Sequence, residues 1–206
     1  MISLEFLVTS LVVVVTPGTG VLLTVSTALS QGRLAGVYAA MGCTLGILPH
    51  MLAAGLGLAA AMHAGSLAFQ ALKVLGVLYL LYLAVLTWRD RTAFTVDEAR
   101  PPVRVWSLVT KAILLNSLNP KLSLFFLAFL PQFMDASAAQ PLVAFGVLSA
   151  VFMTMTLAVF VGYGMLAHGF RSIVIQTPTV QAGLRKSFAV AFVFMAARLA
   201  WTEGTP

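Results

Sequence analysis

The chain has 206 residues, of which 60% are hydrophobic and only 9% are charged, and its formal net charge is +6. Globular domains average roughly half and a quarter for these two classes, so the composition excludes an ordinary soluble protein and indicates an integral membrane protein. The excess of basic residues is explained by membrane topology, as argued below, and we therefore expect no nucleic-acid partner.

Hydrophobic runs long enough to cross a bilayer recur along the whole chain. A hydrocarbon core about 30 Å thick needs about 20 apolar residues per helix. We interpret six runs as spans, at about 4–28, 36–62, 66–88, 110–133, 141–166 and 183–201. We expect the first run to be structural, because no small-residue cleavage site of a signal peptide follows it. The predicted fold class is an all-α integral membrane protein.

The first span is interrupted near its middle, in the string VVVVTPGTGVLL. Pro17 has no N–H for the carbonyl of Val13, and it disfavours helical geometry at Thr16. Because Thr16 is a good N-cap residue and proline suits the first helical position, we predict that the helix stops and restarts here. The backbone at the glycines is open to a ligand, and the threonines supply hydrogen bonds. The candidate binding residues are Thr16, Pro17, Gly18, Thr19 and Gly20.

The second span carries small residues and a histidine. Glycines four residues apart let helices approach closely, and we assign this packing role to Gly32, Gly36, Gly42 and Gly46. His50 is the candidate for proton coupling, because no acid is predicted at mid-depth and an imidazole titrates near physiological pH. A packing histidine is the alternative that stays open. A single cysteine, Cys43, can form neither an intrachain disulfide nor a redox pair.

Basic residues are unevenly distributed among the loops. They cluster beside the loops after spans one, three and five, at Arg33, Arg89, Arg91, Arg100, Arg104, Lys111, Arg171, Arg185 and Lys186. The positive-inside rule makes these loops cytoplasmic, which predicts that both termini lie on the periplasmic side.

The longest polar segment divides the chain into two halves. Its string, WRDRTAFTVDEARPPVR, combines charges with a proline pair and suits a solvated linker. We therefore predict a first three-helix repeat at 1–88, a cytoplasmic linker at 89–109 and a second three-helix repeat at 110–206. Since each half has an odd number of spans, similar halves must be inverted relative to each other.

The fourth span repeats the interruption in the string NSLNPKLSLFFLAFLPQF. Pro120 frees the carbonyl of Asn116, and Asn119 is a good N-cap for a restarted helix. Two restarts in inverted halves would direct positive helix ends toward one site suited to a carboxylate, with hydrogen bonds from both asparagines. Lys121, about 15 Å from Lys111, adds a charge near the midplane. Simple proline kinks and a snorkelling lysine are the alternatives.

Several strings together resemble the LysE/RhtB family of bacterial amino-acid exporters. They are the PG of span one, GCTLGILPH, LKVLGVLYLLYLAVLTWR, and NPK followed by FLAFLPQF, and they cover nearly the whole chain in order. The resemblance implies a six-helix secondary transporter of the inner membrane, driven by the proton gradient. It points to Pro17, Gly18, Gly76, Tyr79, Asn119, Pro120 and Lys121, with Gly76 in helix packing and Tyr79 on the substrate path.

Two departures from the family limit what the resemblance implies. Many members have PGPN where this chain has PGTG, and some carry an acid where Ile47 stands here. The identity of the substrate is therefore not implied.

The expected function is export of an amino acid or a similar zwitterionic or anionic metabolite. Its partners are protons and the lipid bilayer, and a homo-oligomer stays an open alternative. A structural or regulatory membrane subunit is the competing function. A membrane-embedded enzyme is less favoured, because the three histidines have no metal-binding spacing and no paired carboxylates occur in the spans. We expect no cofactor and no metal.

Overall fold

The computed structural model describes most of the chain as helices. The described residues are 2–16, 18–64, 104–134, 140–167 and 177–201, with 74–75, 77–78, 81–82, 84–85 and 88–89. Within them no β-strand occurs, which confirms an all-α chain over this part. The α-helices are α1 (Leu4–Val15), α2 (Thr19–Gln31), α3 (Arg33–Leu45), α4 (Leu48–Ala64), α5 (Val105–Ser117), α6 (Pro120–Leu124), α7 (Pro141–Met165) and α8 (Pro178–Trp201). Most of the predicted third span lies outside the described residues.

The first predicted span consists of α1 and α2, which are bent by 53° relative to each other. The prediction that Thr16 caps the restarted helix is wrong. Thr16 ends α1, where its hydroxyl donates to the carbonyl oxygen of Val12 at 2.6 Å, and Gly18 is the N-cap of α2 without a side-chain cap. A threonine hydroxyl can bond backward along its own helix, and that local bond replaces the forward cap here.

Helix α3 lies at the centre of the described helices. It contacts α2, α5 and α7, and the connection from α2 turns at Gly32, whose φ of 91° favours glycine. A Cβ on Gly36 would lie 2.6 Å from Cβ of Ala28, and a Cβ on Gly42 would lie 2.6 Å from Cβ of Ala112. These small residues let α3 approach its neighbours almost backbone to backbone.

The second predicted span contains an interruption that the sequence analysis did not predict. Helix α3 ends at Leu45, a turn follows at Gly46 and Ile47, and α4 begins at Leu48. Pro49 in α4 has no N–H for the carbonyl of Leu45, which gives a physical reason for the turn. Gly46 packs tightly there, since its Cβ would lie 2.7 Å from the carbonyl oxygen of Ile113.

The fourth predicted span also consists of two bent parts. Helix α5 ends at Ser117, and the chain from Lys121 to Phe133 is bent by 59° relative to it. After α6 the chain forms a π-helical turn, Phe125–Phe129, and a 3-10 turn, Leu130–Phe133, neither of which was predicted. The ring of Phe125 stacks on Phe152 of α7 with centroids 4.0 Å apart, so the irregular turns pack into the core.

Two of the described stretches, Arg33–Gly57 and Pro141–Met165, are long and apolar enough to cross a membrane, and the two bent pairs would raise the number to four. Large apolar side chains face outward from most helices, as expected for a protein with the bilayer as its solvent. Examples are Leu4, Leu52, Leu56, Leu114, Leu118, Leu142, Val143 and Phe194.

Candidate functional site

A small cavity lies where the two helix interruptions meet α7. Its volume is about 20 Å³, which is enough for one water molecule. It is lined by Val13, Val14, Gly18, Gly20, Val21, Asn116, Asn119, Lys121, Leu122, Phe152, Thr156 and Phe160. One wall is polar and holds a cation, the rest is mostly apolar, and none of the lining residues that the structure describes is acidic.

Lys121 joins the two interruptions. Its Nζ donates to the carbonyl oxygens of Val13 at 2.9 Å and Thr16 at 3.1 Å, at the end of α1. These carbonyls belong to the negative end of the helix dipole, so a cation is favourable there. The same ammonium lies near the start of α2, since a Cβ on Gly18 would be 3.6 Å from Nζ. The lysine therefore contacts both the end of α1 and the start of α2 from the other half of the chain.

Two asparagines fix the interruption between α5 and α6. Asn119 is the N-cap of α6, because its side chain accepts from the backbone N–H of Lys121 at 3.1 Å. Its amide nitrogen donates to Oδ1 of Asn116 at 3.1 Å, and the amide of Asn116 donates to the carbonyl oxygen of Cys43. Both asparagines line the cavity, and their amides support the backbone of the interruption.

His50 lies against the same interruption but does not line the cavity. Its Nε2 is 3.0 Å from the carbonyl oxygen of Asn116, and its Nδ1 is 3.0 Å from the hydroxyl of Ser123. Because a carbonyl only accepts, Nε2 carries the hydrogen, and in the neutral imidazole Ser123 then donates to Nδ1. Pro120 provides no N–H for the carbonyl of Asn116, which accepts instead from the backbone N–H of Asn119 at 3.0 Å and from His50.

The two interruptions thus share one arrangement. The carbonyl four residues before each proline accepts from a basic side chain of the other half: Lys121 for Val13, and His50 for Asn116. Tyr163 of α7 adds a third link, since its hydroxyl donates to the carbonyl oxygen of Val15 at 2.8 Å. Buried backbone groups need partners, and here the partners come from distant side chains.

Not every predicted site residue reaches the cavity. Gly18, Gly20, Asn116, Asn119 and Lys121 line it, whereas Thr16 contributes its carbonyl oxygen to Lys121. Thr19 is exposed and is not a lining residue. Pro120 is the first residue of α6. The predictions for Pro17, Gly76 and Tyr79 lie outside the described residues.

The apolar wall from α7 was missed by the sequence analysis. Phe152, Thr156 and Phe160 stand four residues apart, so they share one face of the helix. The hydroxyl of Thr156 donates to the carbonyl oxygen of Phe152 at 2.9 Å and is therefore satisfied within the helix. Their four-residue spacing could have indicated a shared face, but a mostly apolar helix contains many sets of residues with this spacing. Among the described residues no three His, Cys, Asp or Glu side chains are placed to hold a metal ion.

The chain is similar to known proteins along almost its whole length. The family model described as LysE type translocator matches residues 11–203. An uncharacterized membrane protein of Vibrio cholerae is 31% identical over 92% of both chains. A homoserine/homoserine lactone efflux protein of Salmonella typhimurium is 29% identical over 95% of this chain and 94% of its own.

A leucine efflux protein of Klebsiella pneumoniae is also 29% identical, over 96% of this chain and 93% of its own. No solved structure matches this chain. The apolar helices and the membrane-protein relatives identify a membrane protein, and the resemblance seen in the sequence is confirmed: the chain belongs to the LysE type translocator family.

Proposed function

We propose that the protein is a secondary transporter that exports amino acids or related small metabolites across the bacterial inner membrane by proton antiport. Membership of a translocator family supports transport over catalysis. The relatives named as homoserine/homoserine lactone and leucine efflux proteins support amino-acid export in particular.

One observation carries the proposal for the binding site. The ammonium of Lys121 lies at a cavity whose described lining contains no acid, and its hydrogen-bond acceptors there are the neutral carbonyls of Val13 and Thr16. A carboxylate is a stronger partner for an ammonium than a carbonyl dipole. The first turn of α2, which begins at Thr19 and has no side-chain cap, adds backbone N–H groups and the positive end of a dipole. An amino acid would place its carboxylate here, with the side-chain oxygens of Asn116 and Asn119 near its ammonium.

The architecture that fits this site has six spans in two inverted repeats of three helices, with both termini in the periplasm. The two interruptions are joined by basic side chains of opposite halves, which suits a site at a repeat interface. Pro17 and Pro120 stand at corresponding positions of the two halves and provide the reason for both interruptions. A homo-oligomer is compatible with this arrangement.

Proton coupling is assigned to His50. Its imidazole is bonded on both nitrogens, to the interruption at Asn116 and to Ser123 of α6. A second proton would turn Nδ1 from an acceptor into a donor and force Ser123 to reorient. A change of charge at His50 would thereby alter the contact between the halves, which is the coupling that antiport requires.

Reconstituted protein in proteoliposomes tests the function. Vesicles loaded with an unlabelled amino acid are expected to accumulate the same amino acid in labelled form by counterflow, and an imposed proton gradient should drive net flux. A structural or regulatory subunit would show no exchange with any amino acid, which would contradict the proposal.

A further inference from the structure

The first turn of α2 lies between the polar wall of the cavity, which contains Lys121, and the apolar wall, which contains Phe160. Gly18 faces the ammonium of Lys121, whereas Gly20 faces the ring of Phe160: a Cβ on Gly20 would lie 2.9 Å from Cε2 of that ring. The polar end of a bound amino acid belongs at the Lys121 wall, so its side chain would extend toward Phe152, Thr156 and Phe160.

The cavity is too small for an amino acid while these walls stand as they are. Its volume of about 20 Å³ holds one water molecule, and an amino acid has at least five heavy atoms. The backbone at Gly20 and the side chain of Asn116 are fixed by hydrogen bonds to Thr24 and Cys43 respectively. Phe160 is held only by packing, with the tilted ring of Tyr163 6.2 Å away, and its ring is therefore the wall that a substrate side chain would displace.

We propose that Phe160 sets the upper size of the side chain that this transporter accepts, and that Gly20 provides the space in which its ring rests. Among the described residues the lining has no acid that would pair with a cationic side chain, so the class of substrate is an amino acid with a small uncharged side chain. This inference rests on the proposed function.

Transport assays in proteoliposomes test this inference. The probes are a series of labelled amino acids of increasing chain length: alanine, 2-aminobutyrate, norvaline and norleucine. The wild type is expected to favour the short members. Since one methylene in an apolar pocket changes discrimination by about tenfold or more, Phe160→Ala should raise the ratio of norleucine to alanine transport by at least about tenfold.

The matched control is Phe145→Ala, which removes a buried phenylalanine from the same helix but away from the cavity. It should leave the ratio unchanged. If Phe160→Ala does not fold, Phe160→Leu serves in its place with a smaller shift in the same direction.

A reciprocal pair of variants excludes a merely structural effect. Gly20→Ala should push the ring into the cavity and lower alanine transport at least about tenfold, and Gly20→Ala with Phe160→Ala should restore it. An unchanged chain-length ratio in Phe160→Ala, or the same change in Phe145→Ala, overturns the inference while amino-acid transport by the wild type stands. A wild type that exchanges another amino acid but none of these four overturns the inference alone, whereas a wild type that exchanges no amino acid at all overturns the proposed function as well.

Discussion

The ammonium of Lys121 lies 2.9 Å from the carbonyl oxygen of Val13, although 108 residues separate the two in sequence. This contact replaces the helical hydrogen bond that Pro17 cannot donate, and it comes from the residue that follows the second proline, Pro120. The reverse contact joins His50 to the carbonyl oxygen of Asn116. A basic side chain from each half of the chain thus bonds to a carbonyl at the interruption in the other half.

The first prediction concerns topology. The nine basic residues beside alternate loops predict that both termini face the periplasm. Alkaline phosphatase fused after Pro206 should be active in cells, and green fluorescent protein fused at the same point should be dark. A fluorescent fusion without phosphatase activity would place the C-terminus in the cytoplasm and contradict the orientation predicted from the basic residues.

The second prediction concerns His50. Substitution His50→Gln keeps an amide that can donate to the carbonyl of Asn116, but it removes the group that titrates. Uptake into inverted vesicles should lose its response to an imposed proton gradient, whereas counterflow without a gradient should persist. Ser123→Ala keeps the imidazole but removes the partner of Nδ1 through which its charge would act, so it should also weaken the response to the gradient. Gradient-driven uptake that survives in His50→Gln would return His50 to a packing role.

The third prediction concerns the glycines of α3. A Cβ on Gly42 would meet Cβ of Ala112 at 2.6 Å and the carbonyl oxygen of Val109 at 2.7 Å. Gly42→Ala should therefore cost about 1–3 kcal/mol of stability through overpacking. Gly162→Ala in α7 meets no atom within 4 Å and should be neutral or slightly stabilising. Thermal unfolding in detergent compares the two, and equal midpoints would show that α3 does not pack as described.

The sequence predicted the helical segments better than the interruptions within them. The fifth span was expected at about 141–166 and α7 runs from Pro141 to Met165, because a run of 25 uncharged and mostly apolar residues leaves little ambiguity. The turn at Gly46 and Ile47 was missed, although Pro49 frees the carbonyl of Leu45 in the way considered for Pro17. A hydropathy profile depends only on the polarity of the side chains, so it does not show where the hydrogen-bonding pattern of the backbone changes.

The site was predictable only where a residue is unusual for a membrane helix. A lysine and two asparagines beside a proline stand out in an apolar run, and Lys121, Asn116 and Asn119 do line the cavity. Phe152 and Phe160 do not stand out, because phenylalanines are common core residues and only the fold brings them to the site. Thr16 was misassigned because its hydroxyl has two local partners available, and the sequence does not decide between them.

The most direct test of the account asks whether Lys121 binds the substrate carboxylate. Lys121→Met keeps the bulk of the stem and removes the charge, and a hydrogen bond to a charged group contributes about 1.5–3 kcal/mol. The dissociation constant for a transported amino acid should rise about ten- to hundredfold. The measurement is a binding titration of wild type and Lys121→Met, each with the amino acid and with its carboxyl amide. We predict that the carboxyl amide binds the wild type weakly. Its dissociation constant should be nearly the same for Lys121→Met, because the amide and the substitution remove the same contact. Losses that simply add would contradict it, since Lys121 would then hold the end of α1 without contacting the carboxylate.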